Sequence, residues 1–248
     1  MVAALLRPKP KLSLILSVAM LAVSLIGCGL APAPTAHPSS PTPVSATAGS
    51  TANPDARLAV TRASDKHLWL MGEDGAWLRR LTDLPGAEFS PTWSPNGTRI
   101  AFRYWPDLDG SGYGGTDVYV VNVDGSGLMN LTNSSGDSSY LSPAWSPDGN
   151  KIIFSTDRSP GATPQVGSGT FKQKQIYIIN PDGSGLVNLT DDASVEDGFA
   201  AWTPDGQIAY LEMVNPDSPP QPELWVMNAD GSGKRRLAAD VAFVAWRP

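Results

Sequence analysis

The chain has 248 residues, 41% of them hydrophobic and 17% charged, an ordinary balance for a folded protein with a sizeable core. One cysteine and two histidines exclude a disulfide framework and leave too few ligands for zinc or redox sites built from Cys and His. The formal charge of −6, with no cluster of basic residues, argues against a surface that grips phosphate backbones, so no nucleic-acid partner is expected.

The chain opens with the three parts of a secretory signal. Arg7, Lys9 and Lys11 form a basic start, an uncharged apolar run extends from Leu12 to Ile26, and small residues follow. The run has 15 residues, shorter than the roughly 20 a membrane span needs. The next residues, Leu25-Ile26-Gly27-Cys28, resemble the bacterial lipobox, in which cleavage precedes a cysteine that carries diacylglycerol on its sulfur. The resemblance implies a signal peptide over 1–27, a lipid on Cys28, and an extracytoplasmic protein tethered to a bacterial membrane on its periplasmic or cell-surface side. Removing that leader leaves 15 basic against 24 acidic residues, a net charge of −9 that suits a basic partner or a bound cation.

Residues 28–56 read as a tether. Alanine, proline, serine and threonine dominate, as in Pro34-Thr35-Ala36-His37-Pro38, and such a composition buries too little apolar surface to offset chain entropy. In a polyproline conformation roughly 27 residues reach up to about 80 Å. His37 falls here and is expected to be inert.

From residue 57 to 248 one pattern occurs four times. A β-rich run, Leu68-Trp69-Leu70-Met71, Val118-Tyr119-Val120-Val121, Ile176-Tyr177-Ile178-Ile179 or Leu224-Trp225-Val226-Met227, leads into Asp-Gly at 74, 124, 182 and 230. A leucine follows at 81, 131, 189 and 237. Then come Trp93-Ser94-Pro95-Asn96-Gly97, Trp145-Ser146-Pro147-Asp148-Gly149 and Trp202-Thr203-Pro204-Asp205-Gly206, with a truncated Trp246-Arg247-Pro248. The Asp-Gly spacings are 50, 58 and 48 residues, the length of one four-stranded propeller blade. Asp-Gly supplies the positive φ that tight hairpins need. A tryptophan once per unit is placed to wedge between sheets.

These residues resemble the TolB-type propeller repeat, a relative of the WD repeat marked by tryptophan-serine-proline-aspartate-glycine followed by an apolar strand. The resemblance covers Arg57 to Pro248 and implies an all-β propeller of about four four-stranded blades. Trp246-Arg247-Pro248 reads as the first strand of a unit and Arg57-Leu58-Ala59-Val60-Thr61 as the second, so the termini together complete one blade and close the ring. The pattern departs from TolB itself, which has six blades and a separate amino-terminal domain.

In such a blade the Ser-Pro-Asp-Gly and Asp-Gly-Ser-Gly turns share one face, uniform and structural. Length variation falls on the other, in 104–113, 157–174 and 212–222, where binding residues are expected. The binding face comprises Glu88, Tyr104, Trp105, Asp107, Asp109, Tyr113, Tyr140, Phe171, Asp197 and Phe199. Glu88, Tyr140 and Asp197 each stand five residues before a blade tryptophan, near the mouth of the central channel. Asp107, Asp109 and Ser111 resemble the start of a calcium loop, but Val118 replaces the bidentate glutamate at the twelfth position, so the motif is incomplete and no metal is assigned. Asp124, Asp182 and Asp230 are read as turn-shaping residues.

No Gly-x-Ser-x-Gly elbow occurs and no histidine follows His67, so the serine-hydrolase chemistry that accompanies some propellers of this type has no residues to run on. The expectation is a protein-binding or scaffold module of the cell envelope, not an enzyme, with no cofactor. The alternative from another class is a carbohydrate-binding or carbohydrate-active propeller that uses Trp105 and the channel carboxylates.

Overall fold

The computed structural model describes residues 56–106, 115–133, 140–157, 173–192, 194–214 and 221–241. Among them, fifteen strands and no helix form four antiparallel sheets in which every strand pairs with its neighbours in sequence. The first sheet holds β1 (Leu58–Thr61), β2 (Leu68–Met71) and β3 (Trp77–Arg80). The second holds β4 (Ala87–Trp93), β5 (Arg99–Trp105), β6 (Asp117–Asn122) and β7 (Met129–Asn130). The third holds β8 (Tyr140–Trp145), β9 (Ile152–Thr156), β10 (Gln175–Ile179) and β11 (Val187–Asn188), and the fourth β12 (Glu196–Trp202), β13 (Ile208–Val214), β14 (Gln221–Met227) and β15 (Arg235–Ala239).

The opening strands β4, β8 and β12 neighbour one another and therefore form the inner row. β1 packs on β4 as β5 packs on β8 and β9 on β12, which makes β1 the second strand of its unit, as its sequence suggests. The strand expected from the segment ending Trp246-Arg247-Pro248 lies outside the described residues.

Each turn forms for a local reason. In Asp124-Gly125-Ser126-Gly127 the two glycines take φ of 82° and 63°, and Asp124 Oδ1 accepts bonds from the Ser126 amide at 2.9 Å and hydroxyl at 2.6 Å. Asp182 and Asp230 repeat the same pair of bonds with Ser184 and Ser232, so the aspartate series shapes turns, as expected. At the other turn type Ser146 Oγ donates to Asp148 Oδ1 and accepts the Lys151 amide, locking Pro147-Asp148-Gly149 between β8 and β9.

Packing between sheets explains why the strands read as unbroken apolar runs. In β6, Val118 and Val120 point toward the third sheet, joining Trp145, Ile152, Phe154 and Tyr177, whereas Tyr119 and Val121 point back to Leu68, Leu70, Ile100 and Phe102. Both faces are covered, so alternation of polar and apolar residues is lost and all four side chains are buried. A third cluster, Ile153, Ile176, Ile178 and Leu189 with Ile208, Tyr210 and Met227, joins the third and fourth sheets. The recurring tryptophans bind adjacent inner strands: Trp145 Nε1 donates to Thr92 O at 3.2 Å, and Trp202 Nε1 to Ala144 O at 3.1 Å.

Candidate functional site

The turns opposite Ser-Pro-Asp-Gly grow from one row of residues in each sheet. Cross-strand register aligns Glu88 with Tyr104 and Asp117 in the second sheet, Tyr140 with Thr156 and Gln175 in the third, and Asp197 with Glu212 and Glu223 in the fourth. Directly opposed residues share a face about 5 Å apart. The rows mark the end of the molecule from which the long connections leave.

The structure places Glu88 and Asp197 at this end but inside, not at its surface: they are 0% and 1% exposed. Each joins its inner strand to the preceding sheet. The Glu88 amide donates to Lys66 O at 2.8 Å, and the Asp197 amide to Lys174 O at 2.7 Å. Glu88 Oε2 accepts from the Leu68 amide and the Thr82 hydroxyl, both at 2.5 Å. Glu88 Oε1 has no hydrogen-bond partner and lies 3.7 Å from His67 Nδ1. Burial pushes the Glu88 carboxyl above the usual range against these bonds.

The second joint is built differently. There Asp117, in the position His67 holds, accepts from the Thr132 hydroxyl at 2.6 Å and from Asn130 Nδ2 at 2.9 Å. In the third joint the same position is Gln175, which accepts from the Thr190 hydroxyl at 3.0 Å. Asp197 Oδ1 has no partner, and burial, with the negative charge of Glu212 adding to it, pushes the carboxyl up to about 7.

What the inner strands do expose is a bulge two residues further on. Register slips between Phe89 and Thr92, between Leu141 and Ala144 and between Gly198 and Ala201, and within these slips Ser90, Ser142 and Phe199 take φ of 50°, 27° and 53°. A bulge turns its extra residue out of the ladder, and all three side chains are exposed, Phe199 at 54%. Left-handed φ in three equivalent non-glycine residues is a recurrent strain of the inner row.

Of the other expected binding residues, Tyr104 is core: it is buried, with its ring 5.1 Å from that of Tyr119. Trp105 is half-buried at the end of β5, opposite Ala87. Tyr140 is placed by its register alone. Cys28, Asp107, Asp109, Ser111, Tyr113 and Phe171 lie outside the described residues. Among the described residues no group of three or more His, Cys, Asp or Glu is arranged to hold a metal ion.

No family model matches the chain. It is 30% identical over 142 residues to the Tol-Pal system protein TolB of Anaeromyxobacter dehalogenans strain 2CP-C, covering 53% of this chain and 26% of that protein. To the Tol-Pal system protein TolB of Gluconobacter oxydans it is 31% identical over 171 residues, covering 52% and 33%. The chain thus spans between a quarter and a third of the length of these relatives. A solved structure of putative TolB from Agrobacterium tumefaciens superposes with a TM-score of 0.52 at 24% identity, covering 73% of this chain and 60% of that one.

The described domain is a TolB-type β-propeller.

Here each joint has its own polar closure, from Thr82 and Glu88 at the first, Asp117, Asn130 and Thr132 at the second, and Gln175 and Thr190 at the third. Sequence reasoning named Glu88 and Asp197 but missed the threonine set. Its signal was the Leu-Thr dipeptide recurring at 81, 131 and 189, of which only the leucine was used. It also missed Ser90 and Ser142, because a bulge within the strand leaves no mark in serine.

Proposed function

We propose that this chain is a lipid-anchored, extracytoplasmic TolB-like module that binds a protein partner of the cell envelope through the loops opposite the Ser-Pro-Asp-Gly turns. The likeness to two Tol-Pal system proteins is the observation that supports this reading. The lipobox-like Leu25-Ile26-Gly27-Cys28 and the proline-rich tether support membrane attachment. Regular, hydrogen-bonded turns at one end of the sheets and long connections at the other support recognition at the latter. Fold alone carries no activity, and no step of catalysis is assigned to the buried carboxylates.

Two variants test the reading in intact cells. Cys28→Ser should move the protein from the membrane fraction to the soluble fraction and abolish incorporation of labelled fatty acid; retention of both would contradict the anchor. Crosslinked pull-downs should recover the same envelope protein with the parent chain and lose it when residues 103–116 and 157–174 are shortened. Equal recovery from both forms would contradict binding at this end.

A further inference from the structure

The joints between successive sheets share one plan, and the first and fourth sheets each expose half of it. In the second, third and fourth sheets the face turned to the preceding sheet centres on Ile100 and Phe102, Ile152 and Phe154, and Ile208 and Tyr210, all 0–1% exposed. Cross-strand register makes Leu58 and Val60 their equivalents in the first sheet, since Leu58 pairs with Met71 as Ile100 pairs with Val121. There Leu58 is 44% exposed, and Val60, Trp69 and Met71 are half-buried. Trp77, opposite Met71 on β3, is 48% exposed.

The fourth sheet shows the other half. Leu81, Leu131 and Leu189 each join the apolar cluster against the next sheet and are 4–6% exposed, whereas their equivalent, Leu237, is 41% exposed. The middle of this face, Ala209, Leu211 and Val226, is buried, so its open part is the outer margin. The same leucines back onto the Asp-Gly turn of the next sheet: a Cβ at Gly125, Gly183 or Gly231 would lie 3.3, 3.8 or 3.0 Å from the carbonyl oxygen of Leu81, Leu131 or Leu189. At Gly75 it would meet nothing within 4 Å among the described residues. Across the first joint Arg79 also donates to Val123 O. Register makes Arg235 the equivalent of Arg79, and the turn phase makes Glu73 the equivalent of Val123; both are exposed, and their charges are opposite.

We propose that these two surfaces bind each other between copies of the chain. The Leu237 margin of one copy's fourth sheet seats on the face of Leu58, Met71 and Trp77 in another copy's first sheet, which repeats the joint the chain makes three times within itself. Arg235 of one copy then meets Glu73 of the other. The occupant follows from the repeat, because the face that holds Ile100, Ile152 or Ile208 is covered in every case by a sheet of this same pattern. Each copy carries one surface of each kind, so two copies about a two-fold axis use all four. The association does not depend on what the long connections bind.

The test uses the full chain with Cys28→Ser, so that introduced thiols are the only ones. Sedimentation and light scattering should give a mass that rises with concentration from one chain to two. Leu58→Glu and Leu237→Glu, each at an exposed position, should hold it at one chain with an unchanged circular dichroism spectrum. Should either fail to fold, the surface charges decide: Arg235→Glu and Glu73→Arg should each associate more weakly than the parent and regain its affinity when the two are mixed. A short bis-maleimide should join Ala76→Cys on one copy to Leu237→Cys on another, and should form no link within a dilute chain that carries both. A link within the single chain would mean that the fourth sheet closes on its own first sheet and would overturn the proposal. So would a mass of one chain at every concentration, or a two-chain mass that neither glutamate variant nor either charge reversal weakens.

Discussion

Thr82, Thr132 and Thr190 hold one position in three units, and their hydroxyls are used in different ways. Thr82 donates to a buried glutamate that already accepts an amide. Thr82→Val leaves Glu88 with one donor fewer in a site closed to water, and chemical denaturation should register a loss of about 1–3 kcal/mol. The pH dependence follows from burial. The folded pKa of Asp197 lies above the unfolded value of 3.8, so folding takes up a proton; the stability tied to it is complete below 3.8 and is lost as pH rises through about 7. Wild-type melting temperature should therefore fall across that window relative to Asp197→Asn, and parallel curves would contradict the burial-driven shift. The sequence gives these carboxylates their distance from the blade tryptophan, but a distance along the chain does not say which way a side chain points. Because β4 and β12 begin at Ala87 and Glu196, residues 88 and 197 fall inside the ladder and face the preceding sheet.

At the scale of the element, the hairpin turns were the most legible parts, since Asp-Gly-Ser-Gly admits few other conformations. A side chain at Gly127 would need φ of 63° and would place Cβ 2.7 Å from Asn122 Nδ2. Gly127→Ala should destabilise by about 1 kcal/mol or more in a denaturant titration, whereas a serine exchanged for alanine on the open turn should be milder. The strands were legible as apolar runs, and their packing on both faces explains why the period of two is absent from β6, β9 and β10. Phe154→Ala, from a side chain 1% exposed between the second and third sheets, should lower stability by about 3–5 kcal/mol. The bulges were not legible. They depend on how neighbouring inner strands crowd one another, a tertiary effect that Ser90, Ser142 and Phe199 do not announce in common.

For the whole molecule, repetition made the architecture readable: four phased copies imply four like units whatever the fold of each, and the sheets follow that phase. The first sheet is the exception among the described residues, with three strands where the others have four. The chain leaves β15 through Asp240 at φ 57°, the same left-handed step that Asn133 and Asp191 make at 43° and 42° on the way to the next inner strand. If the terminal segment completes the first sheet, Trp246→Ala should cost about 3–5 kcal/mol in thermal or chemical unfolding, as for any buried tryptophan; a variant as stable as the parent would remove that strand from the fold. What the molecule binds was less readable, because no repeat constrains the sequences of the loops proposed to carry recognition. The division of labour between the two ends of the sheets is open to a single direct measurement, site-specific photocrosslinking in living cells. A photoreactive residue at Trp105, where β5 meets its long loop, should capture one envelope protein, and the same residue at Asp230, on the hydrogen-bonded turn, should capture none. Capture from Asp230 alone, or from neither position, would contradict recognition by the loop end.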